Sequence, residues 1–272
     1  MAKTAIITGG GGAIALALSR RLAERGYALI LVDMDAARLE ANKAQLPETT
    51  QTVIADLSSS PGCEAVERLI IAEPSLDLLV NNAGIIRPGN IVDLPFAEME
   101  RHIAINLIAP MRFTRAAART MAERGSGTIL SIVSAAGLVA LPGSAAYSAS
   151  KFGLRGYLTA ASLELAPKGV KVVGVFPGAV DTPMLRYEAT HGGSVLNFLN
   201  KDVLSVDDVA AACLRAMDGT KLETHLPFWD SVTAKLVSIA PGLLPRMIPT
   251  FQKQGEKGLK RFLDSRGLKA DA

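Results

Sequence analysis

The chain has 272 residues, of which 49% are hydrophobic and 20% charged, and a formal net charge of +3. This composition supports a packed core and excludes a disordered chain. A charge of +3 without a basic patch interleaved with aromatic residues predicts no nucleic-acid partner. Cys63 and Cys213 lie far apart, and the three histidines share no ligand spacing, so we expect neither a disulfide nor a metal site.

The start of the chain carries an apolar run of five residues, 4–8, that ends in four glycines. This run is too short for a signal peptide. No run of 18 or more apolar residues follows, as a membrane-spanning helix would require. We therefore expect a cytoplasmic protein.

Short segments rich in Ile, Val and Leu alternate along the chain with longer segments of helical periodicity. The predicted strands are 5–8, 28–33, 52–55, 76–81, 128–133, 170–176 and 223–227. The predicted helices are 14–25, 36–45, 61–72, 96–124, 147–166 and 205–217. This alternation predicts one doubly wound α/β domain of the Rossmann type, a parallel sheet with helices on both faces.

The last part of the chain has a different pattern, so we place the main domain at residues 1–228 and a helical extension at residues 229–272. An apolar stripe recurs at helical intervals over Trp229, Val232, Leu236 and Ile239. Three prolines between residues 241 and 249 then interrupt the pattern, and residues 251–272 carry six basic and three acidic side chains. The extension is expected to form a subunit interface, to cap a substrate site or to contact a membrane surface peripherally.

Four glycines, residues 9–12, separate the first predicted strand from the first predicted helix. In this position glycines permit a tight turn and allow backbone N–H groups to approach a pyrophosphate. Asp33 ends the second strand, where a carboxylate accepts a hydrogen bond from a ribose 2′-hydroxyl and repels a 2′-phosphate. The pattern predicts NAD as cofactor rather than NADP, unless Asp33 is only a turn acid before the next helix.

Tyr147 and Lys151 are four residues apart in a predicted helix and therefore share one face. An ammonium about 4 Å from a phenol, at an effective dielectric near 20, contributes roughly 4 kcal/mol. That is enough to lower the phenol pKa from about 10 to about 7.5. Together with Ser134, the pair predicts general acid/base chemistry at a substrate oxygen. The alternative is a solvated pair on the helix surface.

Across residues 1–228 the chain resembles the short-chain dehydrogenase/reductase family. The resemblance is carried by the glycine turn, by Asp56-Leu57, by Asn81-Asn82-Ala83-Gly84, by Pro177-Gly178 with Thr182, and by the set Asn106, Ser134, Tyr147 and Lys151. It implies that NAD contacts Thr8, Gly9, Gly11, Gly12, Ala13, Ile14, Asp33, Asp56, Leu57, Asn82, Ala83, Gly84, Tyr147, Lys151, Pro177, Gly178, Val180 and Thr182.

The resemblance also implies four catalytic roles. Tyr147 exchanges a proton with the substrate oxygen, and Lys151 lowers the tyrosine pKa and holds the nicotinamide ribose. Ser134 forms a hydrogen bond with the reacting oxygen, and Asn106 holds a water that links Lys151 to solvent. For Asn106 the alternative is a buried polar group bonded to the next strand. For Thr182 the alternative is a helix cap before Pro183.

One departure from the family pattern is found in the nucleotide turn. Ala13 and Ala15 stand where the family has glycine, and each adds a methyl group. The methyl of Ala13 is expected near the pyrophosphate, and that of Ala15 at the contact between helix and strand. Residues 10–12, all glycine, allow the loop a compensating path.

Residues 135–146 contain no charged side chain, and the following wall of the substrate site is largely apolar over Met184, Leu185, Tyr187, Val195, Leu196, Phe198 and Leu199. This predicts an uncharged, lipophilic secondary alcohol or ketone, steroid-like or long-chain, unless these residues only form a lid over the cofactor. The alternatives are a 3-oxoacyl thioester reductase and a non-catalytic nucleotide-sensing or scaffold protein. The resemblance implies a homodimer or homotetramer.

Overall fold

All seven predicted strands are present, each within two residues of its predicted ends. They are β1 (Lys3–Thr8), β2 (Tyr27–Asp33), β3 (Gln51–Ile54), β4 (Leu76–Asn81), β5 (Gly127–Ile132), β6 (Val170–Pro177) and β7 (Glu223–Leu226). The computed structural model describes residues 3–200, 202–227, 242 and 244–269. The strands form one parallel sheet in the order β3-β2-β1-β4-β5-β6-β7. The predicted doubly wound fold is confirmed.

The helices cover both faces of this sheet. They are α1 (Ala13–Glu24), α2 (Ala36–Lys43), α3 (Ser60–Ala72), α4 (Phe96–Ile103), α5 (Ala109–Arg124), α6 (Ala145–Leu165), α7 (Pro183–Thr190), α8 (Val206–Asp218) and α9 (Leu244–Arg266). One core contains buried residues of α3, α5 and α6, and the other contains buried residues of α1, α2 and α8. Successive residues of β1 alternate between them, because strand side chains point to opposite faces: Ile6 lies in the first and Ile7 in the second.

The predicted helix 96–124 differs from the observed structure in its middle. Residues Ala104–Ile108 form a π-helical segment between α4 and α5. Segments of this kind occur mostly as single turns within α-helices and often at functional sites. The segment contains Asn106, which is fully buried. It therefore places a polar side chain inside the protein, beside the chain that follows β4.

The carboxyl-terminal helix α9 packs against α7 and against the 3₁₀ turn Val195–Phe198. Phe262 of α9 joins Leu185, Ala189 and Phe198 in a third buried cluster. A Cβ atom added at Gly255 or Gly258 would clash with the backbone of this turn. The helix thus lies over the wall predicted to contact the substrate, which favours the capping role among the three expected.

Of the two sequence patterns in the extension, the proline-interrupted segment is partly described by the structure and the apolar stripe is not. The helix α9 continues through Pro245 and Pro249, where the sequence pattern indicated an interruption. Pro245 is the second residue of the helix, where the leading N–H groups have no intrahelical partner and a missing donor costs least, whereas Pro249 lies inside the helix. The apolar stripe from Trp229 to Ile239 lies outside the described residues. None of the helices within the described ranges has the length and apolar character needed to cross a membrane.

Truncation after residue 243 is expected to loosen the segment 183–198 without unfolding the sheet. Removal of α9 exposes the apolar surface of Leu185 and Phe198, which lie at 4% and 2% exposure. The free energy of local opening of α7 should fall by about 1.4 kcal/mol, so amide hydrogen exchange in α7 should accelerate roughly tenfold. Exchange in β1, β4 and β5 should be unchanged.

The same truncated chain tests the interface role of the extension. Light scattering on the full and the truncated chain compares their oligomeric states at equal concentration. A smaller assembly after truncation would support a subunit interface. An unchanged assembly together with unchanged exchange in α7 would contradict both an interface role and a capping role of α9.

Candidate functional site

A cavity of about 140 Å³ lies at the carboxyl ends of the central strands, beside the point where the strand order reverses between β1 and β4. Ligands of doubly wound folds bind at this place. Ser134, Tyr147 and Lys151 line the cavity together with Thr182 of the loop before α7. The structure thus brings three of the four predicted catalytic residues to one cavity, although they come from separate parts of the chain.

The glycine turn between β1 and α1 fits a pyrophosphate. Gly9 has φ +66°, and a Cβ atom there would lie 2.8 Å from Cα of Ala83. Gly12 N donates to Gly9 O at 3.0 Å and closes the turn. No side chain caps the N-terminus of α1. Because its first N–H groups point into the turn without a side-chain partner, an anionic group fits there.

Thr8 and Asn82 hold this turn against the end of β4. The Asn82 side-chain amide donates to Thr8 O at 2.9 Å and to Gly9 O at 3.1 Å. The Thr8 hydroxyl accepts hydrogen bonds from the backbone N–H groups of Asn82 and Ala83. Gly84 then passes Lys151 so closely that a Cβ atom there would lie 3.6 Å from Lys151 Nζ. The nucleotide turn and the catalytic residues are therefore connected through one short segment.

The two alanines of the turn lie in different surroundings. Ala15 is fully buried in the core between α1 and the sheet. Its methyl group is therefore accommodated by packing. Ala13 is exposed. Its methyl group lies outside the core, and the turn closes with this methyl group in place.

Asp33 lies beside the turn, as predicted. Its carboxylate accepts hydrogen bonds from Gly11 N at 3.0 Å and from Asp35 N at 3.1 Å. Asp33 lines a second cavity with Asp56 and Leu57, at the place expected for the adenosine half of a dinucleotide. Ser58 donates from its backbone and its hydroxyl to Asp56, and these hydrogen bonds lower the pKa of that carboxyl.

The predicted catalytic residues lie around Tyr147. The Ser134 hydroxyl lines the same cavity and is close enough to the phenol to lower its pKa. Lys151 is 4% exposed, and its Nζ lies 5.6 Å from the centroid of the Tyr147 ring. The same Nζ donates to Ile132 O at 3.2 Å. A substrate oxygen in this cavity would meet both the serine hydroxyl and the phenol.

The expected lowering of the Tyr147 pKa by Lys151 is not found. Burial of the phenol raises the pKa of Tyr147, and the nearby carboxyl of Glu188 raises it further, while the hydrogen bond with Ser134 opposes them. Burial also lowers the pKa of Lys151 to about 8. The physical reason is that both groups are buried, which disfavours the charged form of each. Tyr147 is therefore protonated at neutral pH in this structure.

The side chain of Asn106 forms hydrogen bonds through both its oxygen and its nitrogen. Its Oδ1 accepts a hydrogen bond from Ile85 N at 2.9 Å, and its Nδ2 donates to Ile85 O at 3.0 Å and to Ser150 Oγ at 3.2 Å. Asn106 is therefore a buried polar group with hydrogen-bond partners, but these are Ile85 of the chain after β4 and Ser150 of α6, not the next strand as the alternative had it. The side chain therefore positions the segment that carries Gly84 past Lys151.

His102 belongs to the surroundings of Tyr147 and was not predicted to do so. Its Nε2 accepts a hydrogen bond from Arg87 N at 2.9 Å, and its Nδ1 lies 2.6 Å from Glu98 O. This arrangement requires the tautomer protonated at Nδ1. Burial lowers the pKa of His102, so the ring is neutral, and it packs edge-on to Tyr147 with centroids 6.4 Å apart. The sequence feature that could have indicated this position is a histidine on the apolar face of a predicted helix.

The segment after β6 carries the last predicted cofactor residues. Gly178 N donates to Leu226 O at 2.7 Å, so the segment follows the end of β7. The Thr182 hydroxyl accepts from Leu185 N at 3.3 Å and caps α7. The predicted capping role is thus present, and Thr182 also lines the catalytic cavity with Pro177, Gly178 and Val180.

The predicted apolar wall of the cavity is interrupted by Glu188 of α7, which sequence reasoning missed. Glu188 is 7% exposed, and its Oε1 accepts a hydrogen bond from Asn197 Nδ2 at 3.2 Å. Burial raises the pKa of Glu188 to about 7. The sequence feature that could have indicated its burial is its position three residues after Leu185, on the same face of the helix. The described residues contain no group of three or more His, Cys, Asp or Glu side chains placed to hold a metal ion.

Comparison with known proteins agrees with this geometry. Residues 3–192 match the family described as short chain dehydrogenase. The chain is 32% identical over 183 residues to a 3-alpha-(or 20-beta)-hydroxysteroid dehydrogenase of Mycobacterium bovis, an alignment that covers 67% of this chain and 70% of the relative. It is 36% identical over 201 residues to a D-beta-hydroxybutyrate dehydrogenase of Rhizobium meliloti, with 68% and 74% covered.

A solved structure is also similar over nearly the whole domain. It is a short-chain dehydrogenase from Sphingobium yanoikuyae in complex with NADPH, with a TM-score of 0.77 and 30% sequence identity. The match covers 87% of this chain and 94% of that chain. The family match spans well over half of the sequence and includes the glycine turn, Ser134, Tyr147 and Lys151. The chain belongs to the short-chain dehydrogenase family.

Proposed function

We propose that the protein interconverts an uncharged, lipophilic secondary alcohol and its ketone with NAD(H). As a short-chain dehydrogenase it is an oxidoreductase of alcohols and ketones that uses a nicotinamide cofactor. The observation that carries the proposal is that Ser134, Tyr147 and Lys151 line one cavity. A hydroxyl and a phenol that line the same cavity provide what a carbonyl oxygen needs as it takes up a proton.

The proposed reduction uses the chain's own residues for proton transfer and orientation. The ketone oxygen accepts hydrogen bonds from Ser134 Oγ and Tyr147 Oη, which fix its position and polarise the carbonyl. Tyr147 then gives its proton to the developing alkoxide. The buried ammonium of Lys151 favours the phenolate that remains. The nicotinamide, when bound, supplies the hydride in this direction and takes it up in the other.

For the cofactor we propose NAD, with NADP as the alternative. Asp33 is supported as the discriminating residue by its place beside the turn and by the 3.0 Å hydrogen bond from Gly11 N. A carboxylate there repels a 2′-phosphate. The alternative is supported by Arg38, which is exposed close to Gly11 and pairs with Asp35 at 3.2 Å, and by the NADPH bound to the similar solved structure.

Substitution Asp33→Ser is expected to move the cofactor preference towards NADPH. Wild-type enzyme should have a higher kcat/KM for NADH than for NADPH, and the variant should reduce this ratio roughly tenfold because one charge repulsion is removed. Steady-state kinetics with both cofactors measure the ratio. Asp35→Ser is the matched control, and its ratio should stay close to that of the wild type. A wild type that prefers NADPH by tenfold would contradict the role of Asp33.

The proposed substrate class is supported by the cavity wall of Ala135, Ala136, Leu141 and Met184 and by the hydroxysteroid relative. A turnover screen with NAD over secondary alcohols of graded size, including steroids and long-chain alcohols, tests it. Faster turnover of 3-oxoacyl thioesters would favour the thioester reductase. NADH binding without turnover of any alcohol or ketone would favour a nucleotide-sensing or scaffold protein.

We further propose a cytoplasmic homodimer or homotetramer. Exposed apolar side chains on α4 and α6 support self-association: Phe96 is 72% exposed and Leu163 is 74% exposed. Peripheral membrane contact is the alternative for the extension, supported by the exposed Lys253, Lys257 and Lys260 of α9. The light-scattering comparison of full and truncated chains distinguishes a role of α9 in assembly.

A further inference from the structure

We propose that the catalytic cavity recognises a second polar group of the substrate, a hydroxyl held between Glu188 and Ser144, so that the enzyme prefers hydroxyketones and diols over plain ketones and alcohols. This inference rests on the proposed alcohol and ketone chemistry and specifies its substrate. Neither residue exchanges a proton with the substrate in the reaction described above, although the Glu188 carboxyl raises the pKa of Tyr147. Both line the same cavity as Tyr147.

Glu188 is a buried acid without a counter-ion. No basic side chain of the described ranges forms an ion pair with it, and its hydrogen bond within those ranges is the one from Asn197 Nδ2 to Oε1, at 3.2 Å. Asn197 lines the cavity as well. A carboxyl group has about four acceptor positions, so most of its capacity remains for a ligand. Burial of an acid in this way is costly and is seldom retained without a partner.

Ser144 supplies a second and independent observation. It is 4% exposed, and its hydroxyl forms no hydrogen bond with any residue in the described part of the chain. Ser144 precedes α6 at the position where a serine usually caps a helix, yet its side chain caps no N–H group. A buried hydroxyl left without a partner is unfavourable, and a ligand in the cavity would satisfy it.

The two groups together favour a hydroxyl over other polar groups. A hydroxyl donates to the carboxyl of Glu188 and accepts from the hydroxyl of Ser144, whereas a carbonyl has no proton to donate. A substrate carboxylate would be repelled by Glu188. A substrate ammonium has three donors but no acceptor for Ser144. The pKa of about 7 that burial gives Glu188 means that the group takes part as acid or as carboxylate near neutral pH.

The test compares cyclohexanone with its 2-, 3- and 4-hydroxy derivatives in reduction by NADH. Wild-type enzyme should show at least a tenfold higher kcat/KM for one hydroxy isomer, mainly through a lower KM. In Glu188→Leu this ratio should fall to near one, and Glu188→Gln should retain part of it because the amide still accepts a hydrogen bond. Ser144→Ala should lower it severalfold. The ratio is taken between two ketones on the same variant, so a general loss of activity cancels. Glu164→Leu, at an exposed position on α6 that does not line the cavity, is the matched control and should keep the ratio.

Calorimetric binding of cyclohexanol and the cyclohexanediols to the NADH-loaded enzyme gives a readout that needs no turnover. Tighter binding of one diol, lost in Glu188→Leu, would support the site even if no ketone were reduced, and absence of turnover would then count only against the proposed function. Equal kcat/KM for all four ketones, a ratio unchanged in Glu188→Leu, or preference for 4-aminocyclohexanone over the hydroxy isomers would overturn the inference.

Discussion

Replacement Tyr147→Phe is expected to lower kcat/KM for ketone reduction by about 1,000-fold, within the range that a general acid contributes. The variant loses the one group positioned to protonate the substrate oxygen. Its ring should still pack edge-on against His102, because removal of the hydroxyl leaves that ring contact in place. We therefore expect normal folding and normal NADH binding, measured by circular dichroism and by quenching of nicotinamide fluorescence.

Tyr157→Phe is the matched control, since it makes the same chemical change ten residues later on α6. The Tyr157 hydroxyl donates to Met111 O at 3.3 Å and does not line the catalytic cavity. Its activity should stay within twofold of the wild type. If Tyr147→Phe also remained within tenfold of the wild type, the acid role of Tyr147 would be wrong.

The protonation state of Tyr147 connects this prediction to the direction of the reaction. Because burial and Glu188 raise its pKa, the phenol holds its proton at neutral pH. This is the state that ketone reduction requires, whereas alcohol oxidation requires the phenolate. The buried surroundings thus favour reduction at neutral pH, and a higher pH favours oxidation.

The sheet was predictable from sequence because its five inner strands are buried on both faces and read as short apolar runs. The β4 segment, for example, was predicted with its exact ends, Leu76–Asn81. The π-helical segment Ala104–Ile108 was not predictable in the same way. It depends on the hydrogen bonds of Asn106 with Ile85, a contact between residues 21 positions apart, and no local pattern reports such a contact.

The site was predictable as a set of residues but not in its electrostatics. The four-residue spacing of Tyr147 and Lys151 placed both on one face of α6, as expected. Spacing does not fix where a long side chain points, and Lys151 Nζ turns to Ile132 O. The wall near Glu188 was predicted to be apolar because most of its residues are hydrophobic. A prediction from the composition of the whole segment does not identify a single buried acid within it. That acid is buried on α7 and bonded to Asn197, nine residues further along the chain.

Replacement Glu188→Gln is expected to stabilise the protein at pH 8 by about 3 kcal/mol, roughly a 100-fold change in the unfolding equilibrium. Burial raises the pKa of Glu188 from 4.5 to about 7. Each pKa unit corresponds to about 1.4 kcal/mol between the protonation states. Between these two pH values the native state binds a proton that the unfolded state does not. Stability therefore falls as the pH rises from about 4.5 to about 7, and the full cost is present above that window.

Urea unfolding of wild type and Glu188→Gln at pH 5 and pH 8, at equal protein concentration, measures this effect. The two proteins should differ little at pH 5, where the buried carboxyl is protonated, and the variant should be the more stable at pH 8. Glu164→Gln, an exposed position on α6, is the control and should differ from the wild type by less than about 0.5 kcal/mol at both pH values. A variant less stable than the wild type at pH 8 would mean that the Glu188 carboxylate is stabilised by a partner. Glu188 would then have a structural role. A variant more stable than the wild type would indicate that the Glu188 charge destabilises the fold and is kept for substrate binding in the cavity.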